Sequence, residues 1–229
     1  MASSGSERTA DELGRAFPGI RIIVSDGEHP VMRVDARPAL VVATRGAEPI
    51  ADGGYRAVVL LDGDRMLQAD DLRIGESCLR WWSNAAALAM HGAPVHLVGV
   101  TGSVARALAT WTQPAYARAE LADRAPLRMP PTVRVVALEG SSHAVETALA
   151  AVREAVPELD DEAVLGPLPT DAGARALVRF DYAHGSRVAE SLRGSIVADA
   201  LRARKNPKTR AAGTRNTLRV RVDVPDLDL

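Results

Sequence analysis

Two aspartates follow a short apolar run in the first half of the chain. The run AVVLL spans residues 57–61 and is closed by Asp62 and Asp64. An apolar run bounded by turn residues is typical of a strand buried on both faces of a parallel sheet. The two carboxylates then lie at the carboxyl end of the strand, where open α/β sheets bind their ligands. Because strand-end aspartate is common and two carboxylates are a weak signal, no metal site is predicted.

Basic residues cluster near the end of the chain without an acidic residue between them. They are Arg202, Arg204, Lys205, Lys208, Arg210, Arg215, Arg219 and Arg221. Asn206-Pro207 and Gly213 predict a loop in the middle of the cluster. Such a loop could clamp a phosphate backbone, which gives affinity without base readout. The alternative is a solvated loop whose arginines stabilise a helix C-terminus, with Arg219 and Arg221 on the solvent face of a strand.

Strands alternate with helices in the first part of the chain, which is typical of an α/β unit. Apolar residues recur at helical spacing after the aspartates: Leu72, Cys78, Leu79, Trp82 and Ala86. Further strands are predicted at residues 20–24, 39–44 and 94–100, and a helix follows Thr101-Gly102-Ser103. The three tryptophans are predicted to serve packing or contacts between lobes and not base stacking, because no basic neighbourhood rich in further aromatics surrounds them. Cys78 is predicted to pack in the core.

The second part of the chain predicts the element order βαββαβ. Strands are predicted at residues 133–138, near 163–165, at 176–182 and at 217–224, and helices at 142–152, capped by Ser141 and Ser142, and at 184–204. This order is typical of a split-βαβ domain, in which two helices pack on a four-stranded sheet. The boundary is predicted at Gln113-Pro114, which gives domains of residues 1–112 and 113–229.

Composition excludes several classes of protein and site. The formal net charge of −1 gives no global attraction to nucleic acid, and the two lysines, Lys205 and Lys208, lie outside any glycine-rich phosphate loop. One cysteine excludes an internal disulfide and a CxxC zinc site, and it fits a cytoplasmic location. No apolar run approaches the length of about 18 residues that a membrane span needs. The five histidines form no catalytic motif.

Several stretches resemble the C-terminal third of the primosomal protein N′ family of replication restart helicases. They are the unit around Asp62, the helix near residues 116–124 with its following Pro130-Pro131, the Gly-Pro-x-Pro element at residues 166–169, and the strand ending in Val-Asp-x-Pro at residues 222–225. The resemblance covers essentially residues 8–229. It implies a partial RecA-like second motor lobe, followed by a DNA-binding C-terminal domain.

The motor motifs of this family are degenerate here. Motif V, read G-T-Q-M and followed by K-G-H, survives only as Ala43-Thr44-Arg45-Gly46. Motif VI, read Q-V-A-G-R-A-G-R, corresponds to residues 84–91, where both arginine positions are lost. The degenerate motor positions are Thr44, Arg45, Asp62, Asp64, Asn84, Leu88 and His91. Neither leucine nor histidine can bind a phosphate as a guanidinium does. The resemblance therefore implies a non-functional ATP site, and the family's zinc module is expected to be absent.

Arg187 is a second candidate binding residue. It opens the long helix after Gly185-Ser186, where free N–H groups and a guanidinium could hold a carboxylate or phosphate. A matching basic residue of the family binds the acidic tail of single-stranded DNA-binding protein. The resemblance implies this partner for Arg187.

The expected function is DNA binding in replication restart and primosome assembly, on forked or single-stranded DNA, without ATP-driven unwinding. The expected partners are DNA, single-stranded DNA-binding protein and primosome proteins. One alternative is the second lobe of a working ATP-dependent helicase whose other domains are absent from this chain. Another is a free-standing docking module outside replication. The chain is expected to be a fragment or a truncated gene product.

Overall fold

The chain forms two compact units, residues 1–117 and 118–229. The structure, a computed structural model, describes residues 5–171, 173–205 and 217–224, with the backbone alone for Lys205. The predicted boundary lies at the start of a helix, whereas the division between the units falls inside that helix. No helix among the described residues is long and apolar enough to cross a membrane.

The first unit combines helices with short parallel strand pairs. Its elements are α1 (Gly5–Ala16), β1 (Ile22–Ser25), β2 (Arg33–Val34), β3 (Leu40–Ala43), β4 (Ile50–Ala51), β5 (Val58–Leu60), α2 (Gly63–Leu67), α3 (Ile74–Ala86), β6 (Val95–Leu97), α4 (Gly102–Ala109) and α5 (Gln113–Arg124). Three pairs form, β1 with β3, β2 with β4 and β5 with β6, and each is parallel. The unit is therefore mixed α/β.

Helix α3 contributes four buried residues to the first unit. Cys78 is fully buried, and Leu79, Trp82 and Ala86 are nearly so. These are the positions that recur at helical spacing, so the predicted inward face of this helix is confirmed. Cys78, Leu79 and Trp82 pack against Leu60 of β5 and against α4.

The prediction that residues 57–61 are buried on both faces of a sheet is wrong. Val59 is 54% exposed and Leu61 is 49% exposed, while Leu60 belongs to the core. The reason is that β5 pairs only with β6 among the described strands. Because successive side chains of a strand point to opposite faces, only the face toward α3 is covered.

The three tryptophans occupy different environments. Trp82 is 3% exposed in the core, and Trp81 is half-buried beside it. Trp111 is 57% exposed and is not part of this core, so of its two predicted roles only contacts between lobes stays a prediction. It directly follows the C-cap residue of α4.

The second unit has the predicted order βαββαβ. Its elements are β7 (Arg134–Gly140), α6 (Ser142–Ala155), a 3-10 turn (Asp161–Ala163), β8 (Val164–Thr170), β9 (Gly173–Phe180), a second 3-10 turn (Tyr182–His184), α7 (Gly185–Lys205) and β10 (Arg219–Val222). The sheet order is β10-β7-β9-β8 and every pair is antiparallel. The two helices pack on one face of this sheet.

Both faces of this sheet bury apolar side chains at its centre. The face toward the helices carries Val136, Leu138, Val178 and Phe180, which pack against α6 and α7. The opposite face carries a smaller cluster of Val135, Ala137, Leu177 and Val224. This double burial explains why β7 and β9 contain runs of consecutive apolar residues rather than alternation.

Two local features fit their sequence signals. The hydroxyl of Ser141 accepts a hydrogen bond from the N–H of Ala144 at 3.2 Å, which confirms the predicted N-cap of α6. Gly166 interrupts the register of β8 against β9 at φ +94°, and a Cβ there would lie 2.9 Å from the carbonyl oxygen of Arg175. Only glycine fits this bulge in an edge strand.

Candidate nucleic-acid interface

The C-terminal turn of α7 carries two arginines of the predicted DNA-binding set. Arg202 and Arg204 are both exposed, and neither forms an ion pair with a described carboxylate. Residues two positions apart on a helix lie about 160° apart around its axis. The two guanidinium groups therefore extend from opposite sides of the same helix end.

Arg202 faces α6. Its Nη1 lies 3.0 Å from Nε2 of His143, the second residue of α6, and its Nε donates to the carbonyl of Ala198. Arg202 also closes one end of a groove of about 680 Å³ between α6 and α7, and Arg187 lies among its other lining residues. One side of the helix end is thus attached to the neighbouring helix.

Arg204 belongs to a different stripe of α7. Arg193 lies eleven positions earlier, which brings it to within about 20° of Arg204 around the helix axis. Val197 and Leu201, both exposed, lie between them. Arg193 makes no ion pair among the described residues, and sequence reasoning missed it because it lies far from the basic cluster. Helical periodicity was the signal that could have found it.

The strand that follows the basic cluster returns to α7. The backbone N–H of Leu218 donates to Oδ2 of Asp199 at 2.9 Å. The residue that precedes Arg219 is therefore attached to the last turns of the helix. The structure does not describe the other predicted residues of the cluster, which are Lys208, Arg210 and Arg215, or the side chain of Lys205.

The arginines of β10 lie on the sheet face opposite the helices. Arg221 donates to Oε1 of Glu139 at 2.9 Å, and Nε of Arg175 lies 3.6 Å from the same oxygen. Arg219 is paired with Glu139 in the strand register. The cluster predicted as continuous in sequence is thus divided between two faces of the domain. The sequence did not indicate that Glu139 would offset part of its charge.

Arg187 is engaged within its own domain. Its two terminal nitrogens lie 3.1 and 3.0 Å from the two carboxylate oxygens of Glu158, and one also lies 2.7 Å from Nδ1 of His184. The hydrogen bonds from Arg187 hold the pKa of the Glu158 carboxyl below its usual value. A bidentate carboxylate partner shows that the guanidinium can bind such a group at this helix start.

The chain is similar to known proteins along nearly its whole length. Residues 125–226 match the family model of the primosomal protein N C-terminal domain. A protein of Mycobacterium tuberculosis (strain CDC 1551 / Oshkosh) named probable replication restart protein PriA is 39% identical over 236 residues, or 96% of this chain. The chain belongs to the primosomal protein N′ (PriA) family.

A second PriA-family relative supports the same assignment. The probable replication restart protein PriA of Mycobacterium leprae (strain TN) is 41% identical over 210 residues, or 84% of this chain. The chain spans about a third of the length of these relatives, 35% and 32%.

The positions that resemble PriA-family motif V lie at the carboxyl end of β3. The N–H of Thr44 donates to the carbonyl of Ser25 at 3.0 Å and so extends the pairing of β3 with β1. The guanidinium of Arg45 lies over the Trp81 ring, 3.7 Å from its centroid. This cation–π contact connects the end of β3 to α3. The one arginine of the stretch that matches motif V is thus engaged with Trp81.

Asp62 and Asp64 lie at the carboxyl end of β5, as predicted. Asp62 adopts a left-handed conformation at φ 56° and makes no side-chain cap with α2. The carboxylate of Asp64 lies beside Gly99. In the described parts of the chain, no group of three or more His, Cys, Asp or Glu residues could hold a metal ion.

The motif VI positions follow two different local structures. Asn84 is exposed on α3, which ends at Ala86. Leu88 lies beyond the helix, where its carbonyl accepts a hydrogen bond from the N–H of Tyr55 at 2.9 Å. His91 is exposed in the following turn. Within the described residues, no hydrogen bond or ion pair joins any two of the seven predicted motor positions.

Proposed function

We propose that this chain binds DNA in replication restart, through the backbone of forked or single-stranded DNA, without driving ATP-dependent unwinding. The observation that carries the proposal is the exposed end of α7, where Arg202 and Arg204 have no carboxylate partner among the described residues. This helix end belongs to the domain that matches the PriA C-terminal family model. The relatives carry the printed name of replication restart proteins.

Contact with phosphates is favoured over base readout at this helix end. Arginine binds phosphate oxygens bidentately, and such contacts fix position without sequence information. Arg202 and Arg204 extend from opposite sides of the helix, so they suit two strands of a fork or successive phosphates of one strand. The basic residues of positions 205–215 would add further charge of the same sign.

The first unit is proposed to be a partial RecA-like second motor lobe that no longer hydrolyses ATP. Its three parallel strand pairs and the helix after β5 support the comparison. The motif VI arginine positions hold Leu88 and His91, neither of which forms a bidentate contact with phosphate. The competing function, a working second lobe, requires DNA-stimulated ATP hydrolysis.

Arg187 is proposed to bind the acidic tail of single-stranded DNA-binding protein, as a link to other primosome components. Its present partner Glu158 is half-exposed, and exposed ion pairs contribute little to stability. An incoming carboxylate can therefore replace Glu158 at a small energetic cost. The groove between α6 and α7 leads away from this position toward Arg202.

The test is fluorescence anisotropy of labelled forked DNA at several salt concentrations. We expect the double variant Arg202→Ala, Arg204→Ala to weaken binding and to reduce the salt slope by about 0.7 to 0.9 for each phosphate contact removed. The control is Arg8→Ala, Arg33→Ala, which removes two exposed arginines of the first unit. Equal affinity and slope for the two variants would contradict the assignment of α7.

A parallel assay tests whether this chain hydrolyses ATP by itself. ATP hydrolysis is measured with magnesium, with and without forked DNA, on the same preparation. The proposal expects no hydrolysis above background in either case. Hydrolysis that rises when DNA is added would favour the working motor.

A further inference from the structure

Trp111 occupies a backbone position that ordinarily holds glycine. After the last helical residue of α4, the N–H of Thr112 donates to the carbonyl of Ala107 at 2.9 Å, and that of Trp111 donates to Leu108 at 3.2 Å. This pair of hydrogen bonds is the Schellman motif, whose penultimate residue adopts a left-handed conformation. Trp111 has φ +52°. For a bulky residue this conformation is unfavourable, and glycine adopts it freely.

Packing does not account for the tryptophan at this position. Its indole is 57% exposed, and Trp111 is not part of the core of the first unit. A helix end that accepts glycine more readily than tryptophan does not need this side chain for folding. Strained residues of this kind occur disproportionately at functional sites.

Trp111 lies on a groove of about 430 Å³ between α3 and the start of α5. Much of its lining is aromatic, basic or able to form hydrogen bonds through an amide or a hydroxyl: Arg80, Ser83, Asn84, Trp111, Gln113 and Tyr116. The volume is in the range of sites that hold small ligands. Gln113 is fixed by a hydrogen bond from its Nε2 to the hydroxyl of Ser83 at 2.8 Å. Gly75 of α3 leaves room for the Tyr116 hydroxyl, because a Cβ there would overlap it.

The polar groups of this groove suit the edge of a nucleobase. Asparagine and glutamine amides present a donor and an acceptor together, which is the pattern that bases pair with. Asn84 and Arg80 lie one helical turn apart on α3 and are both exposed. Arg80 forms no ion pair among the described residues, so its charge is available to a phosphate. The acidic residue of the groove, Glu76, already pairs with Arg73 at 3.3 Å.

We propose that this groove binds a nucleobase of single-stranded nucleic acid, stacked on Trp111, with Asn84 and Gln113 at the base edge and Arg80 at the phosphate. Stacking on an exposed aromatic ring is how many single-strand binding proteins hold bases without strict sequence preference. This site lies in the first unit and is separate from the arginines of α7. It adds a base-binding site to the single-stranded DNA binding proposed above, and it rests on that proposed function.

A protein partner is the less favoured occupant. Grooves that receive an amphipathic helix or an apolar segment are lined mainly by aliphatic side chains. Here the aliphatic lining is limited to Leu79 and Ala117, and the other lining residues are two aromatics, two amides, a serine, an arginine and a glutamate. That chemistry matches a base and its phosphate better than an apolar peptide.

The test compares a thymine oligonucleotide of 15 residues with an abasic oligonucleotide of equal length and charge. Binding is followed by anisotropy and by tryptophan fluorescence, using wild type and Trp111→Gly. We expect wild type to bind the thymine strand more tightly, with quenching that disappears in Trp111→Gly. The variant should lose about 5- to 150-fold in affinity for the thymine strand and little for the abasic strand.

Thermal stability provides a second measurement. If the indole served packing, Trp111→Gly would unfold at a lower temperature than wild type. We expect Trp111→Gly to unfold at the same or a higher temperature than wild type, since glycine suits the left-handed position. A lower melting temperature would overturn the proposal, because the indole would then serve the fold. Equal affinity of wild type for the two oligonucleotides, or unchanged thymine binding by Trp111→Gly, would also overturn it.

The experiments distinguish failure of the base site at Trp111 from failure of DNA binding by the arginines of α7. Salt-dependent binding of both oligonucleotides, weakened only by Arg202→Ala with Arg204→Ala, would overturn the base site and leave the α7 proposal standing. Loss of the preference for bases in Trp111→Gly, with no effect of the α7 variants, would support the base site alone. Binding of another protein that depends on Trp111, with base binding unchanged, would reassign the groove to a protein partner.

Discussion

The carboxylate of Asp199 accepts a hydrogen bond from the backbone N–H of Leu218 at 2.9 Å. Nineteen positions separate the two residues, and most of the predicted basic cluster lies between them. The contact attaches the start of β10 to α7 less than two turns before the helix ends. It thereby holds the residue before β10 beside the C-terminal turns of α7.

Asp199→Ala is expected to loosen this attachment locally. A hydrogen bond to a charged group contributes about 1.5 kcal/mol or more, so amide exchange of Leu218 should accelerate by about tenfold. Hydrogen exchange followed by NMR measures this directly. Glu190→Ala, an acidic residue on the same helix, is the control and should leave the exchange of Leu218 unchanged. Equal rates in Asp199→Ala and wild type would contradict a stabilising role for the contact.

Glu158→Gln is expected to release the Arg187 guanidinium. If Arg187 binds an acidic peptide tail, removal of the competing carboxylate should raise affinity for such a peptide by about 1.5- to 5-fold, as expected for an exposed ion pair. Arg187→Ala should abolish the binding. Glu154→Gln removes one carboxylate charge from the groove that Arg187 also lines, and it is the matched control. Similar gains in both glutamine variants would indicate a general charge effect instead.

Asp35 is expected to titrate at an unusually low pH. Arg37 donates to its carboxylate at 2.7 and 2.9 Å and Arg21 at 2.9 Å, and these contacts lower its pKa to about 2. Because the folded pKa lies below the unfolded value of about 3.9, its contribution to stability is present above that value and is lost as pH falls toward 2.

An NMR titration of the side-chain carboxyl carbon measures this pKa. We expect Arg37→Ala to return the pKa of Asp35 toward its ordinary value. Arg33→Ala is the control, since Arg33 pairs with Asp52 instead. An ordinary pKa for Asp35 in the wild-type protein would contradict the contacts described.

Two glycine substitutions in the second unit are expected to change its stability in opposite directions. Gly166→Ala should destabilise the unit by about 1–3 kcal/mol, because its φ is +94° and the new Cβ would meet the carbonyl oxygen of Arg175. Gly194→Ala, in the exposed part of α7 with open space around it, should stabilise by up to about 1 kcal/mol. Thermal unfolding followed by circular dichroism measures both.

Tryptophan fluorescence tells which unit responds to these substitutions. All three tryptophans lie in the first unit, so their unfolding transition should not move in either variant. A shift of that transition, or a loss of stability in Gly194→Ala, would contradict the assignment.

The sequence predicted the second unit well because its signals are local and periodic. Ser141 precedes a helical apolar pattern, and the runs at β7 and β9 are long enough to identify buried strands. Element order then limits the topology to few choices. The face of α3 was predictable for the same reason, since Cys78, Leu79 and Trp82 repeat at helical spacing.

What the sequence could not supply are relationships between distant positions. Exposure of Val59 depends on how many strands join β5, and a run of five apolar residues does not encode that number. The pairing of Arg187 with Glu158 joins residues 29 positions apart. The left-handed backbone of Trp111 could not be predicted, because glycine is the usual sequence signal for that conformation and this position holds tryptophan.

The most direct test of the central claim is binding of wild-type protein to forked DNA across a salt series, with and without magnesium ATP, together with strand separation on the same substrate. We predict tight binding at low salt, a steep fall in affinity as salt rises, no effect of ATP and no strand separation. Absence of binding at low salt, or unwinding that depends on ATP, would contradict the account.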